Sequence, residues 1–148
     1  MKELTFWISA FLMAVATPAP FVAVTSEPNI VQSEGAAMVM NFILGKEVAA
    51  GGYIRVTFPD VMKVSADISN CRDIDAMLVI TSCTANTVKN YIDIELGEAI
   101  TLPDGIESSA FEVQADNALT LPTTIASAEP VTLQTSAGEI RTTVFKSL

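Results

Sequence analysis

Gly51-Gly52-Tyr53-Ile54-Arg55-Val56-Thr57-Phe58-Pro59 is the stretch on which the fold turns. In an extended chain Ile54, Val56 and Phe58 fall on one side, while Tyr53, Arg55 and Thr57 fall on the other. That period of two belongs to a strand half buried against a core. The paired glycines open it with a turn, and Pro59, which cannot donate to a ladder, ends it. The alternation returns over Lys89–Leu96, where Ile92, Ile94 and Leu96 point inward and Tyr91, Asp93 and Glu95 outward. Phe111, Val113 and Ala115 alternate with Glu112, Gln114 and Asp116; Val131, Leu133 and Thr135 form a shorter run, and Ile140–Phe145 a final one. Two further strands are expected at Met62–Ile68 and Met77–Thr81. Turn residues at Gly45, Gly97, Pro103-Asp104-Gly105, Pro122, Pro130 and Gly138 punctuate the runs at intervals typical of a sandwich. From Phe21 onward no segment has a convincing helical period. The expected fold is all-β, an antiparallel β-sandwich of about 7–9 strands over residues 21–148.

Ala36–Leu44 departs from simple alternation. Met38, Met40, Phe42 and Leu44 fill one face, but Ala37, Val39 and Ile43 make the other apolar as well. Such a strand is either central beneath a cover from its own chain or covered by another subunit. In the second case Met38, Val39, Met40, Phe42 and Ile43 form an assembly surface.

Residues 1–16 read MKELTFWISAFLMAVA. One lysine precedes an apolar run from Leu4 to Ala16, short of the ~20 residues that a membrane-spanning helix needs. Ala14-Val15-Ala16 has the small-x-small form that signal peptidase accepts, so a cleaved secretory signal is expected, although Glu3 dilutes the positive start. Residues 17–20, Thr-Pro-Ala-Pro, read as an extended linker. If the segment is retained, Leu4, Phe6, Trp7, Ile8, Phe11, Leu12 and Met13 must be buried against something. A strand added to a neighbouring subunit's sheet would bury them, as would a short helix in an assembly core. The mature domain is expected to carry no membrane span.

Cys71 and Cys83 are the only cysteines. In an oxidising compartment this pair is most simply one disulfide, worth roughly 3 kcal/mol by the entropy of closing a loop of about a dozen residues. In the cytosol both would instead be core thiols. Without histidine two thiols make a poor zinc site, and the spacing is not that of a CxxC redox pair. Signal and cysteines together place the protein outside the cell or on its surface.

Eight basic residues against 17 acidic ones leave a net charge of −9. A surface of that sign repels phosphate backbones and anionic headgroups, which disfavours nucleic acid and membrane surfaces as partners. Histidine is absent, and with it the usual general base and every His-dependent nucleophilic triad. There is no P-loop, GxGxxG turn or N-x-[ST] sequon. Carboxylates remain. Asp73 and Asp75 lie between the cysteines but lack the further positions of a calcium loop, so a solvated loop is expected there. Asp93 and Glu95 share a strand face, yet glycoside hydrolysis by such a pair needs a cleft and sugar-stacking rings. Trp7 lies in the N-terminal segment, leaving Tyr53 and Tyr91 as the amphipathic rings of the domain, few for a sugar platform. No catalytic site, metal or cofactor is expected.

The order of these features resembles the Ig-like β-sandwich repeats of large secreted and cell-surface proteins in single-celled eukaryotes. The resemblance rests on the apolar strand Met38–Leu44, then Gly51-Gly52-Tyr53-Ile54-Arg55-Val56-Thr57-Phe58-Pro59, then Cys71 and Cys83, the Ile92–Leu96 strand, and Thr135-Ser136-Ala137-Gly138-Glu139-Ile140. It covers roughly residues 21–145, and it implies an Ig-like sandwich with no enzyme activity. Such repeats usually stand in tandem, whereas this chain holds one, so an array would have to arise by self-association. The expected function is a structural subunit of an extracellular filament or surface assembly, a homo-oligomer or polymer. The alternative is a secreted monomer that binds a protein or glycan through sandwich-end loops such as Asp73–Met77.

Overall fold

A computed structural model describes residues 23–27, 36–121 and 130–144. The N-terminal segment 1–16, with its candidate assembly residues Leu4 to Met13, the linker 17–20, Pro122 and Phe145 lie outside the described residues.

Among the described residues there are ten strands and no helix. They are β1 (Ala23–Glu27), β2 (Ala36–Leu44), β3 (Tyr53–Thr57), β4 (Lys63–Val64), β5 (Ser69–Asp73), β6 (Ile80–Asn86), β7 (Tyr91–Leu96), β8 (Ser109–Thr120), β9 (Pro130–Thr135) and β10 (Ile140–Val144). All pairings are antiparallel and form two sheets. One runs β1-β2-β8-β4, with β5 also paired to β8; the other runs β10-β9-β3-β7-β6. The all-β, antiparallel sandwich with one disulfide is therefore the fold.

Alternation explains the packing. Met38, Met40, Phe42 and Leu44 of β2 with Phe111, Val113 and Ala115 of β8 supply one inner face; Ile54 and Val56, Ile92, Ile94 and Leu96, and Val131 and Leu133 supply the other. Phe42 and Phe111, directly opposite in register, meet at 5.6 Å between ring centroids in a tilted pair. Full burial of each such large side chain contributes about 1.5–3 kcal/mol, offset by the ordering of the chain. The shift in the β2–β8 register falls at Asn117, whose φ of 51° inserts a bulge. Both Ala118 and Leu119, though adjacent, are buried beyond it. Gly52 is required: a Cβ there would lie 2.8 Å from the Ala49 carbonyl and from Val48 Cγ1, and closer still to Ser136 Oγ.

Two expected strands are displaced. Over residues 62–68 only β4 forms, because a Met62 N–H to Pro59 carbonyl turn precedes it and Ser65 turns back onto Ala118. Pairing resumes at Ser69 as β5, beyond the expected strand; β5 and β1 are additional to the runs read from the sequence and bring the described strands to ten. Over residues 77–81 the strand begins only at Ile80 and continues to Asn86. Asp73 causes the delay: its carboxylate accepts the N–H groups of Asp75 and Leu78 at 2.8 and 2.9 Å, holding residues 74–78 in a turn.

Candidate functional site

Of the five β2 residues expected to form an assembly surface, three face the core of their own chain. Met38 and Met40 are 0% exposed and Phe42 1%. Val39 and Ile43 lie on the outer face with Ala37 and Asn41, half buried, opposite Gln114, Ala110 and Glu112 of β8. The cover over the more apolar row is the second sheet of the same chain, and the pleat that turns one row inward turns the other out.

Cys71 and Cys83 form the disulfide, with Cα atoms 6.0 Å apart. They sit within β5 and β6, one in each sheet, so the bridge ties the two sheets along one side of the sandwich. Core coverage is incomplete on this side: Ile68, Leu78, Ile80, Ala85 and both cysteines are only partly buried. An open cavity of about 400 Å³ runs between the strands, with Ile68, Ile80 and the disulfide against its floor. Among the described residues β6 pairs with β7 on one side and ends its sheet on the other, and it contains no charged residue. A register shift lies between Ile80 and Ser82; from Ser82 to Asn86 the pairing is unbroken.

The outer face of the second sheet carries a different arrangement. Arg55 of β3 and Asp93 of β7 are register partners, and the guanidinium donates two parallel hydrogen bonds to the carboxylate, Nε to Oδ1 at 2.7 Å and Nη2 to Oδ2 at 2.9 Å. The guanidinium also lies 4.0 Å from the Tyr91 ring centroid and 4.9 Å from that of Tyr53. The hydrogen bond to Asp93 and its negative charge raise the Arg55 pKa above the ordinary arginine value, against an opposing effect of burial. Glu95 accepts a hydrogen bond from Ser82 Oγ at 3.1 Å instead. The carboxylates of Asp93 and Glu95, read as neighbours on one strand, thus serve separate partners. The cluster had one signal in the sequence, the placement of Arg55 and Asp93 at the centres of two clear strands, but the pairing of those strands is a tertiary fact.

Asp73 is not a solvated loop residue. It is 8% exposed and spends its carboxylate on the turn, and beyond it Ile74 and Met77 are 44% and 60% exposed. Among the described residues no group of three or more His, Cys, Asp or Glu is placed to hold a metal ion. Nor is there among them a helix long and apolar enough to cross a membrane.

No family model matches the chain, and no curated protein matches it. Among solved structures, the chain is similar to an uncharacterized protein from Nocardia farcinica whose crystal structure is described as revealing an immunoglobulin-like fold. The two are 16% identical, the match covers 81% of this chain and 82% of that one, and the TM-score is 0.36.

Proposed function

We propose that this protein is a non-catalytic structural subunit of an extracellular filament or surface assembly, in which copies associate along the side of the sandwich closed by the disulfide. The observation that supports this is the partly covered core between β5 and β6, next to a strand edge without charge. Burying that surface against a neighbour removes apolar area from water and pairs backbone groups that otherwise face solvent. The resemblance to secreted repeats, which usually stand in tandem, fits such a role. A cysteine pair joined across the sheets fits an oxidising, extracellular setting. Sedimentation velocity on the purified chain over a range of concentrations tests the proposal. A mass that climbs with concentration is expected; a monomer at every concentration up to the solubility limit would overturn it. Comparison with a chain lacking residues 1–20 separates lateral packing, which survives the deletion, from insertion of Leu4–Met13 into a neighbour, which does not.

The Tyr53–Arg55–Tyr91 cluster favours a second reading, a monomeric binding module. Tyrosine and arginine held rigidly on a flat sheet face carry much of the energy in many interfaces. Substitution of Tyr91 by alanine would then reduce retention of a partner while leaving the mass unchanged.

A further inference from the structure

We infer that β6 is a self-pairing edge, along which a second copy of this chain adds its own β6 antiparallel and joins two five-stranded sheets into one; the inference rests on the assembly reading. Edge strands expose alternate N–H and C=O groups that template pairing, and proteins usually block them with charges, proline or bulges. Among the described residues, β5 carries Arg72 and Asp73 and is broken by a positive φ at Asn70, β1 carries Glu27, and β10, whose Arg141 is paired with Glu139, rests beside β1. Ser82–Asn86 carries none of these blocks over five residues in regular pairing with β7.

Charge selects a second copy as the occupant. Two molecules that each carry −9 approach at least cost where neither presents charge. β6 has none; one strand further in, Asp93 beside the centre of the junction is neutralised by Arg55, and Glu95, which accepts from Ser82, stands toward its end. The strand also complements itself. A pairing centred on Thr84 sets Thr84 opposite its own copy, Ser82 opposite Asn86 and Cys83 opposite Ala85. Ser82, Thr84 and Asn86 are register partners of Glu95, Asp93 and Tyr91 and share their outward row, so hydroxyl and amide groups would meet across the junction. The small side chains of Cys83 and Ala85 meet without a clash on the inner row. The disulfide holds β6 to β5 before any partner arrives, which lowers the entropy lost on pairing.

The test places a charge at the centre of the junction. Thr84 is exposed, so lysine or glutamate there leaves the core untouched. Sedimentation velocity compares the full chain, Thr84→Lys, Thr84→Glu and their equimolar mixture. Each variant alone should pair at least tenfold more weakly, because like charges then face each other across the two-fold, and the mixture should recover association as a heterodimer. Thr84→Lys reduces the overall repulsion between copies, so a general charge effect would act in the opposite direction. Recovery in the mixture also shows that both variants are folded. If the unmodified chain associates and the variants do so equally well, pairing through β6 is overturned and assembly proceeds by another surface. If the unmodified chain stays monomeric throughout, the assembly reading falls and the pairing with it.

Discussion

Asn90 has a left-handed backbone, φ 63°, and is buried, at 4% exposure. Its Oδ1 accepts the Val64 N–H at 3.0 Å, while Nδ2 donates to the carbonyls of Phe58, Pro59 and Met62 at 3.1, 2.9 and 2.7 Å. One amide thus fastens the chain that leaves β3 to the start of β7. Asn90→Ala should cost about 3 kcal/mol or more in chemical denaturation, because buried partners lose their hydrogen bonds and alanine disfavours that φ. Asn90→Gly should recover about 1 kcal/mol of this, the backbone share. Arg55 supplies a second residue-scale expectation. Its pKa is raised in the folded state, so the stability that its charge contributes is complete below the ordinary arginine value and is lost only as pH climbs through the folded-state value. Arg55→Met should therefore cost the same, about 1 kcal/mol, in denaturation at about pH 7 and about pH 9. Neither role was legible in the sequence. Asn90 stands before an alternating run that reads as strand from Lys89, and nothing nearby in the chain announces that its amide looks into the core.

At the scale of elements, β3, β7 and β9 were legible because each buries one row against the opposite sheet and leaves the other polar. β2 was ambiguous for the converse reason, since apolar side chains on both rows hide which one is covered. A pair of substitutions tests the answer. Met40→Lys, which places a charge in the core, should prevent folding or cost several kcal/mol. Val39→Lys, one residue away on the outer row, should shift the denaturation midpoint by less than about 1 kcal/mol. Equal damage from both would mean that the outer row is also sealed. β4 and β5 were illegible because their positions are set by turns in which Asp73, Ser65 and Asn90 bond to the backbone, not by any hydrophobic period. The same turns explain why both cysteines sit within strands and join sheets, where a loop closure was expected from the spacing alone.

For the whole molecule, strand periodicity and turn spacing forecast the two-sheet core but not which side of the sandwich is incompletely covered. That depends on how β5 and β6 end their sheets. A net charge of −9 would also make the proposed self-association dependent on salt. Between about 10 mM and about 150 mM salt the screening length falls from about 30 Å to about 8 Å, so the proposed association, followed by sedimentation, should strengthen. Weakening would mean that opposite charges, not a neutral edge, meet in the contact. The disulfide lies on the opposite side of the sandwich from β1 and β10, the first and last strands, which rest beside each other. Tension entering through β1 and leaving through β10 would therefore peel strands from their own side one at a time. It would cross the sulfur bridge without straightening the residues between Cys71 and Cys83, 12 apart in the chain. At about 3.5 Å per residue, the thread drawn from the domain is shorter by roughly 40 Å until a reductant releases the slack.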